Sequence, residues 1–238
     1  MLMSRLSKTL LLPVGAAVLL AGPLQAQTLP VPQNVVQLSA SGSVEVPQDF
    51  LTLVLSTTRE AADAGAVQTQ LKSAIDAALA EARKSAQPGQ MDVRSGAFSL
   101  YPRYTKEGKI STWQGTAEIV LEGRDFGRIS TTAGRVPALT VSQVDFSLSR
   151  EQRTRVEAQA QTMAIDKFKA KAGEIARAFG FADYSLREVS VNADDANPPR
   201  PRIMAMQAKS ASADMAGVPV EAGKSTVQVT VSGAVQLK

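Results

Sequence analysis

The side chains that carry out most protein chemistry are missing from this chain. Its 238 residues include no cysteine and no histidine. That excludes disulfides, thiolate nucleophiles, histidine general bases and Cys/His zinc sites. It also removes the side chain that titrates nearest neutral pH. What remains is serine, lysine and carboxylate chemistry, which needs a group of shifted pKa set in a cleft. The linear signatures of such sites are absent: there is no Walker loop, no dinucleotide glycine fingerprint, no Gly-x-Ser-x-Gly elbow and no Ser-x-x-Lys pair. No catalytic, cofactor-binding or metal-ligating residue is therefore assigned.

Four groups of residues still merit weighing. Asp194 and Asp195 could offer two oxygens to calcium, but no third carboxylate follows at loop spacing, which favours a solvated charge pair. Arg150, Arg153, Arg155, Lys167, Lys169, Lys171 and Arg177 line one segment and could meet an anionic surface. Glu151, Glu157, Asp166 and Glu174 are interleaved with them, the pattern of a solvated helix face. Tyr101, Tyr104 and Trp113 fall in one predicted hairpin and form the candidate interaction surface, because Tyr and Trp join large buried area to a polar handle. Packing across paired strands is the competing explanation for them. Met204, Met206 and Met215 lie in a Pro-containing stretch and could make an adaptable apolar contact, with disorder as the alternative.

The N-terminus supplies an address. Arg5 and Lys8 precede an apolar run from Thr9 to Ala21, and Pro23 to Ala26 ends in a small residue. This is a secretory signal over residues 1–26, with cleavage expected between Ala26 and Gln27. The residue after the cut is not cysteine, so no lipid anchor is expected. The apolar run is shorter than the roughly 20 residues that span a bilayer, so no transmembrane span is expected once the signal is removed; retention as an uncleaved anchor is the alternative. Loss of Arg5 and Lys8 lowers the formal charge of +4 to +2, so the pI of 9.4 overstates the basic character. No basic run forms a phosphate-binding face, and nucleic acid is not an expected partner. The localisation expected is periplasmic or secreted.

The elements that must position any site follow from periodicity. Residues 27–35 form a leader. Val36 to Val46 alternates apolar and polar, and with Phe50 to Ser56 it reads as a hairpin turning at Pro47–Asp49. Gly42 inside that strand implies a bulge or a close backbone approach. Thr57 to Glu60 has the spacing of a capping box before a helix carrying Val67, Leu71, Ile75, Ala78, Leu79 and Ala82 on one face. Val93–Tyr104 and Ile110–Glu122 form a second hairpin. A short helix over 125–133 and a strand over 139–148 follow.

The stretch 149–181 is the organising element: Val156, Ala160, Ala164, Phe168, Ala172, Ile175 and Phe179 repeat at helical spacing. Ser149 with Gln152 caps its start and Gly180 stops it. Strands over 184–191 and 226–237 flank a stretch over 194–224 with no period, read as a mobile loop. The fold class is α+β: a largely antiparallel sheet of about seven strands, with two long helices and one short one.

This order of elements resembles the SIMPL domain family. The residues that carry the resemblance are Ala40, Ser41 and Gly42 with Val44, Val46 and Asp49; Tyr101-Pro102 before a turn; Val144 to Leu148; Asp166 to Ala172 ending at Ala178 to Gly180; and the C-terminal valine strand. It spans about residues 36–237, within a domain taken to run over 36–238. The resemblance implies a periplasmic or secreted α+β protein without known catalysis. Some members look like builders of ring-like oligomers and others are tied to oxidative-stress tolerance. No site residues come with it.

The function expected is that of an exported, non-enzymatic envelope protein acting by self-association and partner contact. A closed homo-oligomer is expected, with an envelope protein or an anionic surface as a further partner. The alternatives are a module that binds an anionic envelope component through the basic long helix, and a hydrolase using Ser, Lys or carboxylate groups.

Overall fold

The structure, a computed structural model, describes residues 33–194 and 221–238. The signal sequence, its cleavage site, most of the leader, Asp195 and the Met-containing stretch lie outside the described residues. Among the described residues there are seven strands and three helices. They run β1 (Val35–Pro47), β2 (Phe50–Ala61), α1 (Ala64–Arg83), β3 (Asp92–Tyr104), β4 (Ile110–Gly123), α2 (Phe126–Arg135), β5 (Thr140–Ser147), α3 (Arg150–Ala178), β6 (Tyr184–Asp194) and β7 (Lys224–Leu237).

The strands divide between two antiparallel sheets, ordered β1-β7-β6 and β3-β4-β2-β5. The hairpin expected between β1 and β2 therefore does not form. β1 pairs with β7 from Val35↔Gln236 to Pro47↔Lys224, while β2 lies between β4 and β5. The reason is at the supposed turn. The Gln48 N–H donates to the Gly223 carbonyl at 3.0 Å and the Asp49 N–H to the Ser147 carbonyl at 3.1 Å. Successive peptides are thus bonded to different sheets, and Pro47–Asp49 is a crossing between them.

The expected capping box at Thr57–Glu60 is also corrected. β2 runs on to Ala61, Thr57 is buried, and the Thr58 and Thr116 hydroxyls bond each other at 3.1 Å. Asp63 caps α1 instead, its Oδ1 accepting from the Ala66 N–H at 2.8 Å. A Thr-x-x-Glu spacing is as compatible with an alternating strand as with a cap, and pairing with β4 decides it. The second hairpin, β3–β4, forms as expected.

Each sheet has its own helical cover and its own core. α1 and α2 pack with Leu51, Leu53, Leu55, Met91, Ile119 and Leu121 of the four-stranded sheet. α3 packs on the three-stranded sheet, where Phe168 meets Leu38, Val229, Val231 and Val235. The buried row of α3 is Val156, Ala160, Ala164, Phe168, Ala172 and Ala176, at a spacing of four. It matches the expected stripe except at its end, where Ala176 is buried and Phe179 is exposed. Ser149 caps α3 by accepting from the Gln152 N–H, and Gly180 takes the left-handed conformation at φ 82°. The alanines bring the α3 backbone onto β1: a Cβ on Gly42 would lie 2.2 Å from the Ala160 carbonyl oxygen. This is the close approach that a glycine within a strand implied.

Candidate functional site

The β3–β4 hairpin carries the three aromatic residues singled out above, and its register separates them. On β4, Trp113, Gly115, Ala117, Ile119 and Leu121 share one face by alternation. Gly115 is needed there, because a Cβ would come within 2.7 Å of Leu71 Cδ1 on α1. Trp113 packs in the cluster of Val67, Leu71 and Ala117, with Leu100 beside it. Tyr101 stands opposite Gln114, and Tyr104 opposite Ile110 after a register shift at Arg103. Gln114 belongs to the other face, and the extra residue Ser111 sets Ile110 beside Tyr104 instead. Tyr101 therefore looks away from α1, while Tyr104 falls by alternation on the side of Leu100 and Pro102; Tyr101, Tyr104 and Ile110 have 44%, 63% and 51% of their surface exposed. Trp113 is half-buried, packed against that cluster on the α1 side of the hairpin. Ile110 is exposed beside Tyr104, unforeseen; its place there depends on the register shift, which leaves no mark in the sequence.

Serine and carboxylates meet at the junction between the sheets. The Ser149 hydroxyl donates to Asp49 Oδ2 at 2.7 Å, and the Ser149 N–H donates to Asp49 Oδ1 at 2.7 Å. The same hydroxyl oxygen accepts from Arg124 at 2.8 Å and from the Gln152 N–H at 3.3 Å. Arg124 is also paired with Glu151. Both lone pairs of the hydroxyl are thus occupied, and Ser149 is buried. The group acts as a structural clasp between the crossing peptide, α3 and the end of β4.

The perturbed ionisable groups are likewise structural. The Asp125 carboxyl is held below its usual range, first by the Arg128 backbone N–H and then by the Arg128 side chain, at the cap of α2. The Arg94 guanidinium is pushed up by the hydrogen bond it donates to Glu122, and the Lys224 ammonium by its bond to Glu45. Among the described residues, no group of three or more Asp or Glu is placed to hold a metal ion.

The basic row of α3 is partly engaged within the chain. Lys167 and Lys171 donate to the Ser41 and Ser39 carbonyls of β1 at 3.2 and 3.1 Å, and Arg155 donates to Gln152. Arg150, Arg153, Lys169 and Arg177 lie on the same helix. Among the described residues, no helix is long and apolar enough to cross a membrane.

The class this geometry defines is an α+β domain of two antiparallel sheets, one packed against α1 and α2 and the other against α3. Residues 36–235 match the SIMPL family, described as a protein of unknown function (DUF541), and the chain belongs to that family. No curated protein matches it. A solved structure of AtUAH in complex with glyoxylate shows a slight similarity: 16% identity and a TM-score of 0.23, covering 55% of this chain and 34% of that one. A likeness that low carries no functional weight.

Proposed function

We propose that this is an exported envelope protein that works by self-association and partner contact, with a role in tolerance of oxidative or envelope stress. The observation that carries the reading is the amount of apolar surface left open in a domain whose two cores are already filled. It lies on the β3–β4 hairpin, at Tyr101, Tyr104 and Ile110, and on β6, at Leu186, Val189 and Val191. Large exposed apolar groups collected in this way mark interaction sites. The occupied hydroxyl of Ser149 supports the reading over a serine hydrolase. The in-chain bonds of Lys167 and Lys171 hold two ammonium groups of the basic helix against β1. The test is formaldehyde cross-linking of intact cells followed by mass analysis. A homomultimer of chains beginning at Gln27, recovered from the periplasmic fraction, is expected. An uncross-linked chain retaining Met1 in the cytoplasm would overturn it.

A further inference from the structure

A sheet ends in strands whose outward N–H and C=O groups lack a ladder partner, and proteins guard such edges with lysine, proline, bulges or short strands. Among the described residues there are four such edges, and three are guarded. Along β1 stand the ammonium groups of Lys167 and Lys171, bonded to its carbonyls. β3 contains Pro102, and its pairing shifts register twice, between Ser95 and Phe98 and at Arg103. β5 has 8 residues and pairs with β2 through a shift at Val54.

β6 differs. It has 11 residues and no proline. Its one irregularity is the extra residue between Leu186 and Glu188. α3 lies over β1 and β7 and touches β6 near Tyr184, whose hydroxyl donates to the Lys169 carbonyl at 3.3 Å. The apolar row that follows is uncovered: Leu186, Val189 and Val191 are 54%, 44% and 44% exposed.

We infer that β6 pairs antiparallel with the β6 of a second copy of this chain about a two-fold axis. This rests on the self-association reading and names its surface. The strand is complementary to itself. Leu186 stands opposite Val235, and Val189 opposite Gly233, so the bulge leaves both on the α3 side. Setting Leu186 opposite the partner's Val189 also sets Tyr184 opposite the partner's Val191. On the polar side, Ser185 then faces the partner's Ser190, and Arg187 comes beside the partner's Glu188. Arg187 points to that polar side, where it donates to Gln236 at 3.2 Å. Symmetry repeats each pairing. A slip of one residue would put Leu186 against the partner's Glu188 or the partner's Ser190, so alternation fixes the register. A closed two-fold contact also removes both open edges at once.

The experiment is sedimentation equilibrium of the chain Gln27–Lys238. Arg187→Glu and Glu188→Arg should each weaken association about tenfold or more, because like charges then face each other twice. Joining both substitutions should restore association to within about threefold, a rescue that misfolding would not produce. As a second measurement, Ser185→Cys with Ser190→Cys should give a covalent dimer on mild oxidation. The chain has no other cysteine, and the two positions are too far apart along one strand to join each other. A chain that associates equally well in all variants, with no covalent dimer, would overturn the β6 pairing and leave self-association standing. A chain that is single throughout would overturn both.

Discussion

Gly42→Ala should destabilise the protein strongly, and the sign of the effect is the informative part. Gly42 has an ordinary strand conformation, since it is not among the residues with positive φ. At such a site Gly→Ala normally stabilises by about 0.4–1 kcal/mol, because it restricts the unfolded chain. Here the added Cβ would lie 2.2 Å from the Ala160 oxygen, 2.7 Å from the Ala164 nitrogen and 2.9 Å from Met163 Cβ. The first two are backbone atoms, so no side-chain rotation relieves the contact. A normal separation is about 3.5 Å, so α3 would have to retreat by about 1 Å, forfeiting roughly a quarter to a half of the dispersion attraction along that line. Ala160, Ala164 and Phe168 all sit on the line. The expected loss is about 3 kcal/mol, at the upper end for overpacking. With a urea m-value of about 2 kcal/mol/M, the unfolding midpoint followed by circular dichroism should fall by about 1.5 M. An unchanged or raised midpoint would refute the close approach of α3 to β1.

Phe168→Ala should cost about 3–5 kcal/mol by the same assay, since the ring is buried; a loss below about 1 kcal/mol would mean the α3 stripe does not face the sheet. Asp49→Ala should cost about 1–3 kcal/mol by unpairing the Ser149 N–H and hydroxyl, and Asp49→Asn should recover only part of it. The depressed Asp125 carboxyl contributes stability that is fully present above the ordinary aspartate value of about 4 and is lost as pH falls through the lower folded-state value. Asp125→Asn, which keeps a capping side chain, should flatten the fall of Tm with acid below that pH. Trp113→Ala should lower stability while leaving the association constant unchanged, because the indole packs on α1; weakened association with the fold intact would put it back on an interface.

The elements were legible where one residue type has a single physical use. Gly180 ends α3 because the left-handed conformation suits glycine, and Ser149 opens it as a cap. The row from Val156 to Phe168 could only be one helix face, and Gly42 could only be a bulge or a close approach. Strand partners were not legible. The alternation of β1 says which face is buried but does not name its neighbour, and β7 offers the same alternation as β2. For the same reason Tyr101 and Trp113 looked like one surface: each lies in the hairpin, but only the register shows that they face opposite ways. β6 was the hardest to read. Its residues mark a strand over 184–191 but not which of them are covered, and the exposure of Leu186, Val189 and Val191 follows from where α3 lies.

Light scattering of the chain Gln27–Lys238, over a roughly tenfold range of micromolar concentration, bears most directly on whether this protein works by self-association. The mass expected is that of more than one chain, decreasing toward one on dilution and in Val189→Lys, which sets a charge on the open apolar row of β6. The mass of one chain at every concentration would contradict it.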